Sequence, residues 1–205
     1  MNVEFWILNY LTTNYSLLTT TMTKKPTSLY KDYYDKKVAP ALMKQLHIKN
    51  VMACPKVNKV SLNVGLGKAA KEAATFEVAE NTLKRITGQK PVVTKARKAI
   101  SNFKVRADMP IGLTVVLRGR RSEEFLWKLI HITLPRVRDF HGLSTKSVDR
   151  TGNLAIGFKE HLVFPEIKSD EVDRIHGLEV IINTTAKTKE RGFALFKALG
   201  FPFQK

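Results

Sequence analysis

The stretch "VNKVSLNVGLGKAA", Val57 to Ala70, decides the fold, because its two halves point to different architectures. The second half, "VGLGKAA", fits G-x-G-x-x-A after a strand. That fingerprint brings a dinucleotide pyrophosphate to a helix N-terminus in a doubly wound sheet. The first half alternates: Val60, Leu62 and Val64 face one way, and Lys59, Ser61 and Asn63 the other. This is a strand with a core face and a polar face. The dinucleotide reading also needs an acid ~20 residues on, to hold the ribose. There the chain reads "NTLKRITGQK", which is basic and helical. The match is therefore weak, and a glycine-rich strand exit is the better reading. Gly65 and Gly67 let backbone N–H groups approach an anion such as an RNA phosphate.

Upstream, Tyr30, Tyr34, Val38, Leu42 and Leu46 recur every four residues and predict a helix over Leu29 to Leu46, kinked at Pro40. Downstream, a helix is expected over Phe76 to Thr87, capped by Thr75 and stopped by Gly88. A strand over Val92 to Arg97 would put Val93, Lys95 and Arg97 on one face. Pro110 leads a strand over Ile111 to Leu117. A helix starting at Ser122 would place Glu123 and Glu124 in its positive first turn. Phe125, Leu126, Leu129, Ile130 and Leu134 form its buried stripe, and Pro135 ends or bends it. Two more strands follow, Leu154 to Phe158 and Leu178 to Asn183. A last helix, Lys189 to Leu199, closes at Gly200 and Pro202. There is no repeat, heptad run or Gly/Ser-rich linker. The order predicts an α+β fold: a single domain, with a largely antiparallel sheet packed with helices.

Thirty-five Lys and Arg against 18 Asp and Glu give a net charge of +17. Such a surface repels itself unless an anion covers it; nucleic acid leads and an anionic membrane follows. The excess concentrates in "QKPVVTKARKAISNFKVR", Gln89 to Arg106. Lys90, Lys95, Arg97, Lys98, Lys104 and Arg106 stand there without an acid. Ser101, Asn102 and Phe103 lie among them, a mix that suits RNA: cations for phosphate, polar groups for ribose and base edges, an aromatic for stacking. Ile100 and Phe103 either brace the segment or stack, and bracing is the preferred reading.

The single cysteine, Cys54, rules out a disulfide within the chain and a thiolate-rich zinc site. It is read as a small, partly buried residue. The five histidines are scattered: His131 reads as a packing residue, His141 and His176 as turn residues before glycine. Catalytic signatures are missing, with no G-x-S-x-G, H-E-x-x-H or Walker loop. Glu166, Asp170, Glu171 and Asp173 form an acidic segment without calcium-loop spacing, read as a solvated or partner-facing patch. Residues 1–22 carry Glu4 as their only charged side chain and read as an extension. Either the start lies at Met22, or the extension is disordered or lineage-specific. Residues 23–205 form the domain.

Several segments converge on one family. "NKVSLNVGLGKA", "ITGQKPVVTKARKAISNFKVR", "MPIGLTVVLRG", "LPRVRDFHGLS", "FPEI", "VDRIHGLEVIINTTAKT" and "ALFKALGFPF" resemble the bacterial-type large-subunit ribosomal protein five, in colinear order over roughly Leu29 to Lys205. The resemblance implies a non-enzymatic constituent of the large ribosomal subunit, in the cytoplasm or an organelle with bacterial-type ribosomes. It implies binding of 5S rRNA in the central protuberance, beside large-subunit rRNA and other central-protuberance proteins. It implies no cofactor, metal or membrane. By position, Asn58, Lys59, Asn63 and Gly65, with Thr87, Gly88, Gln89, Lys90 and Pro91, fall near 5S rRNA. Arg97, Lys98, Ser101, Asn102, Phe103, Lys104 and Arg106 correspond to a loop reaching P-site transfer RNA. Glu166, Asp170, Glu171 and Asp173 are assigned to an intersubunit bridge with small-subunit protein thirteen. "KTKERG", Lys187 to Gly192, is more basic than the family's usual version. Two other classes stay open on the residues alone: a nucleotide-dependent enzyme using "VGLGKAA", and a regulatory RNA-binder outside the ribosome.

Overall fold

The alternation in Val57 to Val64 becomes the central strand of a five-stranded sheet. The computed structural model describes residues 28–67, 73–167 and 175–204; the extension, residues 1–22, lies outside them. The strands are β1 (Val57–Gly65), β2 (Val92–Lys95), β3 (Pro110–Arg118), β4 (Leu154–Phe158) and β5 (Leu178–Thr184). Their order is β2-β3-β1-β5-β4, and every pair is antiparallel. Val60 lies between Leu117 and Ile182, and Leu62 between Val115 and Val180; all six are buried. A slip of one residue would turn this whole apolar set to the other face, so the pattern itself holds the register.

The helices cover that apolar face. They are α1 (Leu29–Tyr33), α2 (Ala39–Gln45), α3 (Ala73–Thr87), α4 (Arg120–Lys128) and α5 (Lys189–Leu199). Tyr34, Leu42, Leu83, Phe125, Leu129 and Phe196 join the strand residues in one core. Among the described residues, no helix packs over the other, bare face of the sheet.

Pro40 and Pro135 are accommodated by the same device. A π-helical turn, Tyr34–Val38, joins α1 to α2 ahead of Pro40. Another, Leu129–Thr133, extends α4 ahead of Pro135. The N–H groups of Ala39 and Leu134 reach back five residues, to the carbonyls of Tyr34 and Leu129. Widening the turn gives room for a ring that would otherwise strike the carbonyl four residues back. The expected kink at Pro40 is thus a re-registered turn.

Three boundaries differ from expectation. Helix α3 already runs at Ala73, so Thr75 lies inside it and is not its cap. Helix α4 starts at Arg120, behind Gly119 with φ 59°, and Ser122 donates its hydroxyl back to the Gly119 carbonyl at 2.9 Å. The chain turns straight from β3 into the helix, before Ser122 can cap it. Strand β2 ends at Lys95 after a register shift between Thr94 and Lys95. The run of Val93, Lys95 and Arg97 along one face is broken there.

Helix α5 is pinned by a backbone-to-backbone contact. A Cβ on Gly192 would stand 2.4 Å from the Cα and 2.5 Å from the carbonyl oxygen of Gly152. Among the described residues, no helix is long and apolar enough to cross a membrane.

Candidate nucleic-acid interface

The bare face of the sheet is polar at its centre and floored by glycine at one end. Lys59 pairs with Arg118 and Asn183, Asn63 with Thr114 and Glu179, and Gly65 with Gly112. On β4, Gly157 lies opposite Glu179. Thr114 donates its hydroxyl to Asn63 Oδ1 at 2.6 Å. That fixes the amide, whose Nδ2 lies 3.5 Å from Glu179 Oε2. A groove of about 570 Å³ runs over this end of the sheet. Glycine inside a strand costs about 0.5–1 kcal/mol against alanine. At Gly65 and Gly157 a Cβ would meet nothing within 4 Å. Interior packing therefore does not demand glycine at either position. Asn58 sits where the β1–β5 register shifts and is exposed.

The turn from Thr87 to Pro91 delivers the chain to β2. Gly88 has φ 64°, and its N–H donates to the Lys84 carbonyl at 2.8 Å. Thr87 is buried and its hydroxyl donates to the Leu83 carbonyl at 2.6 Å. Pro91 is buried too. These two shape the turn, while Gly88 and Lys90 are exposed and Gln89 is half-buried. Val92 follows opposite Thr114, 63% exposed on the bare face.

Residues 97–106 form a hairpin tip that extends the β2–β3 pair. Ala96 is buried at its base, and its N–H donates to the Met109 carbonyl at 2.9 Å. Ile100 and Val105 exchange backbone hydrogen bonds at 2.9 and 3.2 Å. A 3₁₀ turn, Ser101–Phe103, is closed by Lys104 with φ 54°. Arg97, Lys98, Ser101, Asn102, Lys104 and Arg106 are all exposed. Among the described residues no acid pairs with these four cations. The expected bracing is corrected: Phe103 is 75% exposed and Ile100 48%. Backbone pairing holds the tip, which leaves the Phe103 ring free.

The acidic segment is only partly described. Glu166 forms an ion pair with Lys128, whose Nζ also donates to the Ile86 carbonyl at 2.9 Å. Its carboxylate is thus engaged inside the domain. Asp170, Glu171 and Asp173 lie outside the described residues. Among those described, no cluster of three or more His, Cys, Asp or Glu side chains is placed to hold a metal.

One pair escaped the sequence reading. His161, fully buried, and His176 stack with ring centroids 4.0 Å apart and planes 10° apart. The His176 N–H donates to His161 Nδ1 at 3.3 Å. Spacing could not reveal a contact across fifteen residues; the only local hint is that His161 sits among Leu162, Val163 and Phe164. Burial pushes both imidazoles down, His176 to about 4 with help from repulsion by His161; Glu160 opposes the shift at His161. A histidine depressed in the folded state stabilises fully above its unfolded value near 6.5. That stability is lost as pH falls from there toward about 4. Discounted for the partial solvent exposure of His176, the expected loss is on the order of 2 kcal/mol. His176→Gln should flatten this part of the profile in urea titrations at pH 7 and 4.5. Parallel profiles for variant and parent would refute it.

Comparison with known proteins matches nearly the whole described domain. Residues 50–106 match the family "Ribosomal protein L5", and residues 110–203 match the C-terminus of the same ribosomal family. The junction falls within the β2–β3 hairpin, so both segments share one sheet. A large ribosomal subunit protein uL5 from Symbiobacterium thermophilum is 54% identical over 173 residues, 84% of this chain and 96% of the relative. That of Caldanaerobacter subterraneus subsp. tengcongensis is 51% identical over 178 residues, 87% of this chain and 99% of the relative. That of Thermotoga maritima is 50% identical over 175 residues, covering 85% and 95%. Identity at this level, over an antiparallel α+β domain with a bare polar face and a cationic hairpin tip, means that the chain belongs to the ribosomal protein L5 family.

Proposed function

We propose that this chain is a non-enzymatic constituent of the large ribosomal subunit that holds 5S rRNA against the bare face of its sheet. The observation that carries the reading is that face itself, with Lys59, Asn63 and Gly65 accessible to an external partner on a chain of net charge +17. Lys90 at the neighbouring turn adds a cation. Large-subunit rRNA and other central-protuberance proteins complete the surroundings, in a bacterial-type ribosome of the cytoplasm or an organelle. The antiparallel sheet speaks against the nucleotide-dependent enzyme, because Gly65 pairs with Gly112 rather than opening a βαβ crossover. The direct test is preferential binding of the full chain to 5S rRNA over an unrelated structured RNA of similar length; equal binding would defeat the reading.

In the same reading the 97–106 tip meets P-site transfer RNA. Its cations meet backbone phosphates, a contact that tolerates every transfer RNA. The acidic segment with Asp170, Glu171 and Asp173 faces the small subunit at protein thirteen, since phosphate would be repelled there. Replacing Lys98, Lys104 and Arg106 together with Ala should leave 5S binding and subunit assembly intact. P-site occupancy should weaken roughly 10- to 100-fold, each exposed charge contributing up to about 1 kcal/mol. Unchanged P-site affinity in correctly assembled ribosomes would remove the contact from the proposal.

A further inference from the structure

Glu179 stands in the wrong place for a surface that only grips phosphate. It is exposed on β5, between Asn63 of β1 and Gly157 of β4, on the bare face. Among the described residues no lysine or arginine pairs with it. A phosphate-facing surface gains nothing from an unpaired carboxylate, because phosphate oxygens are acceptors and so is the carboxylate. Asn63 Nδ2 gives Glu179 one long hydrogen bond, at 3.5 Å, and its remaining acceptor positions stay open to a further donor.

The surroundings are built for close approach. Asn63, Gly65, Thr94, Gly112, Gly157 and Glu179 line the groove. Gly112 has an internal cause, since a Cβ there would lie 2.6 Å from the Val64 carbonyl oxygen. Gly65 and Gly157 have none. A strand glycine marks a bulge, a tight bend or a close approach to the backbone. The register runs without a shift through Gly65 and Gly157, which leaves close approach. Thr114 turns the Asn63 amide so that its N–H groups lie on the Glu179 side. Donor and acceptor thus stand together above a low floor. Helical RNA offers a protein its wide, shallow minor groove, where the donors are the ribose 2′-hydroxyl and the guanine 2-amino group.

We infer that Glu179, positioned beside Asn63 over the glycine floor, is an RNA-reading residue that accepts a hydrogen bond from a ribose 2′-hydroxyl or a guanine 2-amino group. The inference rests on the proposed binding of 5S rRNA to this face. It adds that the acid, and not only the cations, contributes to affinity.

Glu179→Gln separates the two views by sign. Removing a negative charge beside phosphates should tighten binding if Glu179 is a bystander. If it accepts a hydrogen bond, the full-length variant should bind 5S rRNA about 10- to 100-fold more weakly at fixed salt. The salt dependence should stay unchanged, because no phosphate contact is lost. An unaltered thermal transition keeps the comparison about recognition. Equal or tighter binding overturns the inference while leaving 5S binding intact. No preference of the parent protein for 5S rRNA over unrelated RNA overturns the underlying reading, and this inference with it. Two RNA arms identify the donor. Transcripts carrying 2′-deoxynucleotides should lose more affinity for the parent than for Glu179→Gln if the donor is ribose, since the amide oxygen is a weaker, uncharged acceptor. Inosine in place of guanine should do the same if it is the 2-amino group. Full additivity in both arms overturns the inference.

Discussion

Raising salt from roughly 50 to 200 mM is expected to weaken the complex with 5S rRNA by about 10³–10⁵-fold. The figure assumes ~6–10 phosphate contacts, with the slope of duplex binding carried over. The net charge of +17 supplies the cations. The structure supplies the reason they act together. Lys59 and Arg118 are cross-strand neighbours on one rigid face, and Lys90 follows on an ordered turn. Cations already fixed in place release counterions together when RNA docks. Filter binding or fluorescence titration over that range reads the slope. A flat profile would mean that phosphate neutralisation is not the source of affinity, however basic the chain.

Gly192→Ala is expected to destabilise the domain by about 3 kcal/mol or more, and Gly192→Val to prevent folding. Two effects oppose each other. Alanine in a helix interior gains about 0.8–1 kcal/mol over glycine. Against that, the new methyl would stand 2.4 Å from the Gly152 Cα and 2.5 Å from its carbonyl oxygen. These are backbone atoms, so no side-chain rotation relieves the clash. Gly152 is itself fixed, with φ 83° and its own hydrogen closely surrounded by Ala186 and Thr188. Helix α5 would have to lift, exposing Leu195, Phe196 and Leu199, all buried. Gly65→Ala is the control, since its Cβ has open space. It should cost no stability while weakening RNA binding. A Gly192→Ala protein as stable as the parent in urea would show that α5 is not pinned at this point.

Alternation in "VNKVSLNV" was enough to separate the core face from the bare face, because period two survives whatever the strand pairs with. The stripes Tyr30–Tyr34–Val38–Leu42 and Phe125–Leu126–Leu129–Ile130 were legible for the same reason: burial follows local geometry. Thr75 and Ser122 misled because both are good cap residues in positions where tertiary structure had already begun the helix. Phe103 misled because an apolar side chain in a hairpin packs back only if something lies beneath it, and sequence does not show what lies beneath. The His161–His176 stack and the Glu179–Asn63 juxtaposition were invisible for a deeper reason. Each depends on which strands and loops become neighbours, and that is a property of the register between distant segments.

The strand order β2-β3-β1-β5-β4 also has a consequence in time. The middle strand leaves the synthesising ribosome before either of its neighbours. Leu62 must wait for Val115 on one side and Val180 on the other. At about 5–20 residues per second, the second wait is on the order of ten seconds. During it the nascent chain carries an apolar strand with an open hydrogen-bonding edge. Pairings this distant in sequence make folding slow. A newly made copy therefore passes through a window in which it is vulnerable to aggregation, and that window closes when β5 pairs Val180 with Leu62.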